Sequence, residues 1–101
     1  MTKYEIAELI LRRRRQILVH SIIYYELNDS IISDAKWSEW ALELEHLQAQ
    51  YPSISEEVEY ADAFRDFDHS TGCNLPLDDP YCTKIAFLLL DYKKKGDKDG
   101  E

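Results

Sequence analysis

The sequence predicts an all-α protein, a small bundle of four helices, and three observations carry that expectation. Apolar residues recur at steps of three and four in four separate segments, the spacing that gathers them on one helical face. Residues suited to starting and stopping helices stand at the edges of those segments. With three Gly and three Pro in 101 residues, and no sustained apolar–polar alternation, the chain lacks the turns and pattern of a many-stranded sheet.

The first helix is expected to start at Thr2, with Glu5 three residues on completing a capping box. Ile6, Leu9, Ile10, Ile17, Tyr24 and Leu27 give it an apolar side, and from Ile17 onward apolar residues spread around most of the circumference. This half should be the central element, touched by more than one neighbour. Arg12, Arg13, Arg14 and Arg15 interrupt the pattern. At about 100° per residue they fan through about 300°. At least one must therefore cross the buried side, to snorkel or to pair with an acidic residue of the third or fourth helix. The others read as a solvated basic collar facing the acidic middle of the chain.

Ser33 has the residue type of an N-cap, Asp34 favours the positive end of a helix, and Pro52 marks a stop. Between them Trp37, Trp40, Ala41, Leu44, Leu47 and Tyr51 define the buried face of a second helix. Ser53 with Glu56 reads as another capping box, opening a third helix whose face carries Ile54, Val58, Ala61, Phe64 and Phe67 and which ends by Asp68. Residues 68–79 have loop composition. Asp79 and Pro80 then suit the cap and first position of a fourth helix. Tyr81, Ile85, Leu88, Leu89 and Tyr92 are expected to face inward, with Cys82, Ala86, Phe87 and Leu90 widening the stripe. Lys93, Lys94 and Lys95 complement the helix end, and Gly96 stops it. The organisation expected is one helical domain over residues 1–95 and a disordered tail over 96–101.

A net charge of −8 argues against a protein whose main work is to grip phosphate backbones, so direct nucleic-acid binding is not expected. No apolar run approaches the roughly twenty residues of a membrane span. The N-terminal residues mix charge and apolar side chains at helical spacing, unlike a signal peptide. The reading is a cytoplasmic protein with Cys73 and Cys82 as free thiols. His69, Cys73 and Cys82 are the residue types of a metal site, but their spacing is wrong for paired zinc-ligand arrangements and no metal is expected. His20, His46 and His69 are scattered, and there is no phosphate loop or nucleophile elbow. No enzymatic activity is expected.

The most informative stretch runs from His20 to Pro52. Tyr24-Tyr25 is followed by the acidic run Glu26-Leu27-Asn28-Asp29, then by Ser33-Asp34-Ala35-Lys36-Trp37-Ser38, then by Glu43-Leu44 with Leu47, and it closes on Tyr51-Pro52. This order resembles the N-terminal helical subdomain (Ia) of NAD-dependent DNA ligases. There an aromatic pair YY or YH precedes S/P-D-A-E-Y-D, and a helix with E-L-x-x-L ends in an aromatic or His before Pro. The resemblance spans about a third of the chain, with a core at residues 17–52. It implies a helical hairpin and, in the ligases, recognition of the nicotinamide mononucleotide half of NAD. On that resemblance Tyr24 and Tyr25 match the aromatic pair, Asp34 the first carboxylate and Trp37 the later Tyr. Ser38 stands where the family has its second carboxylate. The same residues also have a purely structural reading, because Trp37 continues the stripe of Trp40 and Leu44 and Asp34 suits any helix start.

A ligase's nucleophilic lysine sits in K-x-D-G on a separate, larger domain. Here Lys98-Asp99-Gly100 lacks the intervening residue. Two functions follow. One is a small non-catalytic, ligase Ia-like structural or protein-interaction module, of the short kind carried by phages and prophages. The alternative is a binding module for nicotinamide mononucleotide or NAD, acting in trans with a nucleotidyltransferase or a host DNA ligase. The partner expected is a protein, with a DNA ligase or replication protein as candidates, and a homo-oligomer through the first and fourth helices is also considered.

Overall fold

Thr2 caps the first helix as expected. Its hydroxyl accepts the Glu5 N–H at 3.1 Å while the Glu5 carboxylate accepts the Thr2 N–H at 3.2 Å, so two otherwise unpaired donors are satisfied. The helix, α1, spans Lys3–Tyr25 in the computed structural model, which describes residues 1–99. It ends by widening: Leu27 N–H reaches Ile22 O at 3.2 Å and Asp29 N–H reaches Ile23 O at 3.0 Å. Asn28 takes a left-handed conformation with φ 51°, which its short polar side chain tolerates better than most. Ser33 then caps α2, Asp34–Gln50, accepting the Lys36 N–H at 3.1 Å. Pro52 closes α2 and at once opens α3, Pro52–Glu57.

The expected third helix is divided. Ser53 does not cap it, because Pro52 already occupies the first helical position and Tyr51 stands at the cap without a side-chain bond. Val58 is extended and Tyr60 left-handed, with φ 71°, and only one further turn follows, α4, Ala61–Phe64. The cause lies on α1. The Arg14 guanidinium enters the gap and collects the carbonyls of Ser55, Val58 and Glu59 at 2.9–3.0 Å, acceptors that a continuous helix would have turned along its own axis.

After an irregular segment, residues 65–79, Asp79 caps α5, Pro80–Asp99, by accepting the Cys82 N–H at 3.0 Å. The helix passes through Gly96 instead of stopping there. A glycine inside a helix costs only about 1 kcal/mol against alanine. Residues 100–101 of the expected tail lie outside the described residues.

Ile10, Ile17, Leu18, Ile22 and Ile23 are fully buried, and α1 is the central element as its circumference of apolar residues predicts. It packs against α2, α3 and α5, while α2 and α5 touch each other little. From α2 come Ala41 and Leu44, from α4 Phe64, and from the irregular segment Leu75. The face that α5 turns inward is not the one expected. Cys82, Ala86 and Leu90 are buried, whereas Tyr81, Phe87, Leu88, Leu89 and Tyr92 are exposed. The small Cys82 and Ala86 side chains let the helix lie close to α1, which the bulkier stripe does not. The described residues form a helical bundle with no strand, and none of their helices is long and apolar enough to cross a membrane.

Candidate functional site

The end of α1, the start of α2 and the irregular segment meet around an open cleft of about 240 Å³. Its floor is built from α1 outward. Ser21 is buried, and its hydroxyl accepts the Trp37 indole N–H at 3.3 Å, fixing the half-buried ring at the bottom. Gly72 lies against both. A Cβ there would overlap the Ser21 hydroxyl and stand 3.2 Å from the Trp37 ring, so only glycine lets the segment approach this closely. Phe67 packs edge-on to Trp37 with ring centres 6.5 Å apart.

Tyr24 and Tyr25 form one wall. They are 58% and 40% exposed, with rings in a T-shaped pair at 4.9 Å. The Tyr25 hydroxyl shares a hydrogen bond with Thr71 at 3.0 Å, linking α1 to the irregular segment. That segment is tied to α2 by His69, whose N–H donates to Glu45 at 2.9 Å while its ring Nδ1 lies 2.7 Å from the same oxygen. The bond holds the Glu45 carboxyl below the usual carboxylate range. Opposite, the α1–α2 connection is held by Lys93 of α5, which donates to Ser30 O at 2.9 Å and faces Asp29 at 3.5 Å.

Asp34 and Ser38 complete the rim, one turn apart on the exposed face of α2. All four sequence-predicted residues, Tyr24, Tyr25, Asp34 and Trp37, therefore line one cleft, together with Ser38. Among the lining residues Asp34 supplies the one carboxylate. His20 lies at the back, tilted against Trp40 at 5.7 Å; burial pushes its ring below the usual histidine range, and its Nδ1 has no partner. The cleft offers aromatic faces, one carboxylate and several hydroxyls, a set that attracts a flat cation. Ligand pockets commonly measure about 300–1,000 Å³, so this one suits a single ring system with its sugar better than a whole dinucleotide.

Of the lining residues outside the expected set, residues 30–33 belong to the α1–α2 connection, and His20, Ser70 and Thr71 come from elsewhere. His20 was legible, because it lies one helical turn before Tyr24 on the same face of α1. Ser70 and Thr71 were not, since they reach the site only through the contacts of Gly72 and His69.

The other candidates are dispersed. His69 pairs with Glu45, Cys73 is exposed and Cys82 is buried; both cysteines are free, and no metal-holding group of three His, Cys, Asp or Glu occurs among the described residues. Burial pushes the Cys82 thiol up to about 11, so it stays protonated beside Tyr60. The arginines point four ways: Arg12 to Glu8 at 2.8 Å, Arg13 to Glu43 at 3.1 Å, Arg14 into the core, and Arg15 toward Glu59 at 3.6 Å and over the Tyr81 ring at 4.9 Å.

Fold and site together define a small all-helical protein with an aromatic-walled cleft at one end of its central hairpin. Compared with known proteins, the chain matches no family model, no curated protein and no solved structure.

Proposed function

We propose that the protein is a non-catalytic helical module whose cleft takes the nicotinamide end of nicotinamide mononucleotide or NAD, acting in trans with a nucleotidyltransferase or DNA ligase. One observation carries the reading: Tyr24, Tyr25, Asp34 and Trp37, chosen for their order in the chain, line the same cleft. Oxidised nicotinamide is a flat cation. Aromatic faces and the Asp34 carboxylate both favour it over a neutral ring of the same shape.

Titration with nicotinamide mononucleotide, followed by tryptophan fluorescence, tests the reading because Trp37 lies at the cleft floor. Saturable quenching is expected, lost in Trp37→Phe and weakened about tenfold in Asp34→Ala, on the order of 1.4 kcal/mol. Ser38→Asp supplies the missing second carboxylate and should tighten binding several-fold. No saturable response at millimolar ligand would refute the nicotinamide reading.

Ser38 itself favours a second reading, a structural or protein-interaction module of the phage and prophage kind that keeps the ligase-like scaffold without its ligand. On that reading Ser38→Asp leaves the fluorescence as silent as the native chain does.

A further inference from the structure

One side of α5, from its edge beside α1 outward, carries Tyr81, Ile85, Leu88 and Tyr92 at successive steps of four, three and four, the spacing of a coiled-coil seam. Leu88 and Tyr92 are its open half, 56% and 79% exposed, while Tyr81 lies half-exposed under the Arg15 guanidinium and Ile85 is half-buried against the core; the inward side of the same helix, Cys82, Ala86 and Leu90, is buried on α1. A stripe this apolar is unusual on a chain of net charge −8. Its flank identifies the occupant. Lys84 and Asp91 lie seven residues apart, each immediately before a seam residue, so both stand on the same side of the stripe. Two copies of α5 laid antiparallel bring that flank against itself, with Ile85 opposite Leu88 and Tyr81 opposite Tyr92. Lys84 of each copy then falls opposite Asp91 of the other, giving two ion pairs related by one two-fold axis. A parallel pair sets Lys84 against an apolar flank and forms neither. Lys84 has no ion-pair partner among the described residues, and Asp91 meets only the exposed Lys95 at 3.3 Å.

We propose that the protein self-associates through this face as an antiparallel, two-fold symmetric dimer of α5 helices, with the apolar seam supplying affinity and Lys84 and Asp91 setting the direction. The interface is separate from the cleft and does not depend on the nicotinamide reading.

Sedimentation equilibrium over a dilution series tests it, with circular dichroism confirming that each variant keeps its helices. Wild type is expected at twice the 11.9 kDa chain mass. Leu88→Asp, at an exposed position, should give the single-chain mass. Lys84→Asp and Asp91→Lys should each weaken association several-fold, and the double variant should regain it, because the swapped charges meet again. A wild type that stays monomeric overturns self-pairing and leaves the face to a different protein. A dimer untouched by Leu88→Asp places the interface elsewhere, and one not restored by the double exchange overturns the antiparallel register. None of these results alters the nicotinamide titration.

Discussion

At Arg14 a full positive charge sits 1% exposed, with no carboxylate bonded to it. It persists because each of its five N–H donors finds an acceptor: Gln48 Oε1, the carbonyls of Ser55, Val58 and Glu59, and the Ser55 hydroxyl, all at 2.7–3.0 Å. Burial lowers its pKa only to about 10, so the charge remains at neutral pH. Arg14→Met should cost about 3 kcal/mol or more, since several buried acceptors lose their donor. Arg14→Lys should be nearly as damaging, because three donors on a flexible stem cannot replace a planar fork. Urea unfolding measures both, and a lysine variant of native stability would contradict the account. His20 gives a second test. Its folded pKa lies below the unfolded value because burial disfavours the charged ring, so its stabilising share is complete above the unfolded pKa and lost as pH falls through the folded one. Wild type should therefore lose stability relative to His20→Phe between neutral pH and about pH 5; a constant difference would mean that the ring titrates normally. The cleft residues were legible at this scale because their order along the chain is local. That one arginine would be buried followed from their number, but its identity and its carbonyl partners depend on contacts thirty to forty-five residues away.

Two elements departed from their sequence patterns for reasons the pattern does not contain. The apolar spacing from Ile54 to Phe67 suits one helix, yet Arg14 draws out the carbonyls near Val58 and the chain turns left-handed at Tyr60. In α5 almost every side of the helix is apolar between Tyr81 and Tyr92, so periodicity offers two inward faces. Close approach to α1 selects the one with Cys82 and Ala86. The irregular segment is an element in its own right, held by Gly72 on one side and His69 on the other. Gly72→Ala should displace it, costing about 1–3 kcal/mol and moving Trp37 emission toward that of an exposed indole. Unchanged stability and emission in that variant would show that the segment does not close the cleft floor.

For the molecule as a whole, composition and punctuation were enough to predict helices, and the central role of α1 followed from its apolar circumference. The placement of α2 and α5 on different sides of it was not legible, because each contributes only a few buried residues and either could have packed against the other. That arrangement separates two surfaces: the aromatic cleft between α1, α2 and the irregular segment, and the apolar outer face of α5. His20 lies at the back of the cleft and also borders the shallow groove between α1 and α5. The central claim is that the cleft, and not the α5 face, receives the nicotinamide ring. Amide and indole chemical shifts of the labelled protein during titration with nicotinamide mononucleotide test it most directly. The account predicts saturable shifts at the Trp37 indole N–H and at Tyr24, Tyr25, Asp34, Ser38 and Thr71, with Leu88 and Tyr92 unmoved. Shifts confined to α5, or none at millimolar ligand, would contradict it.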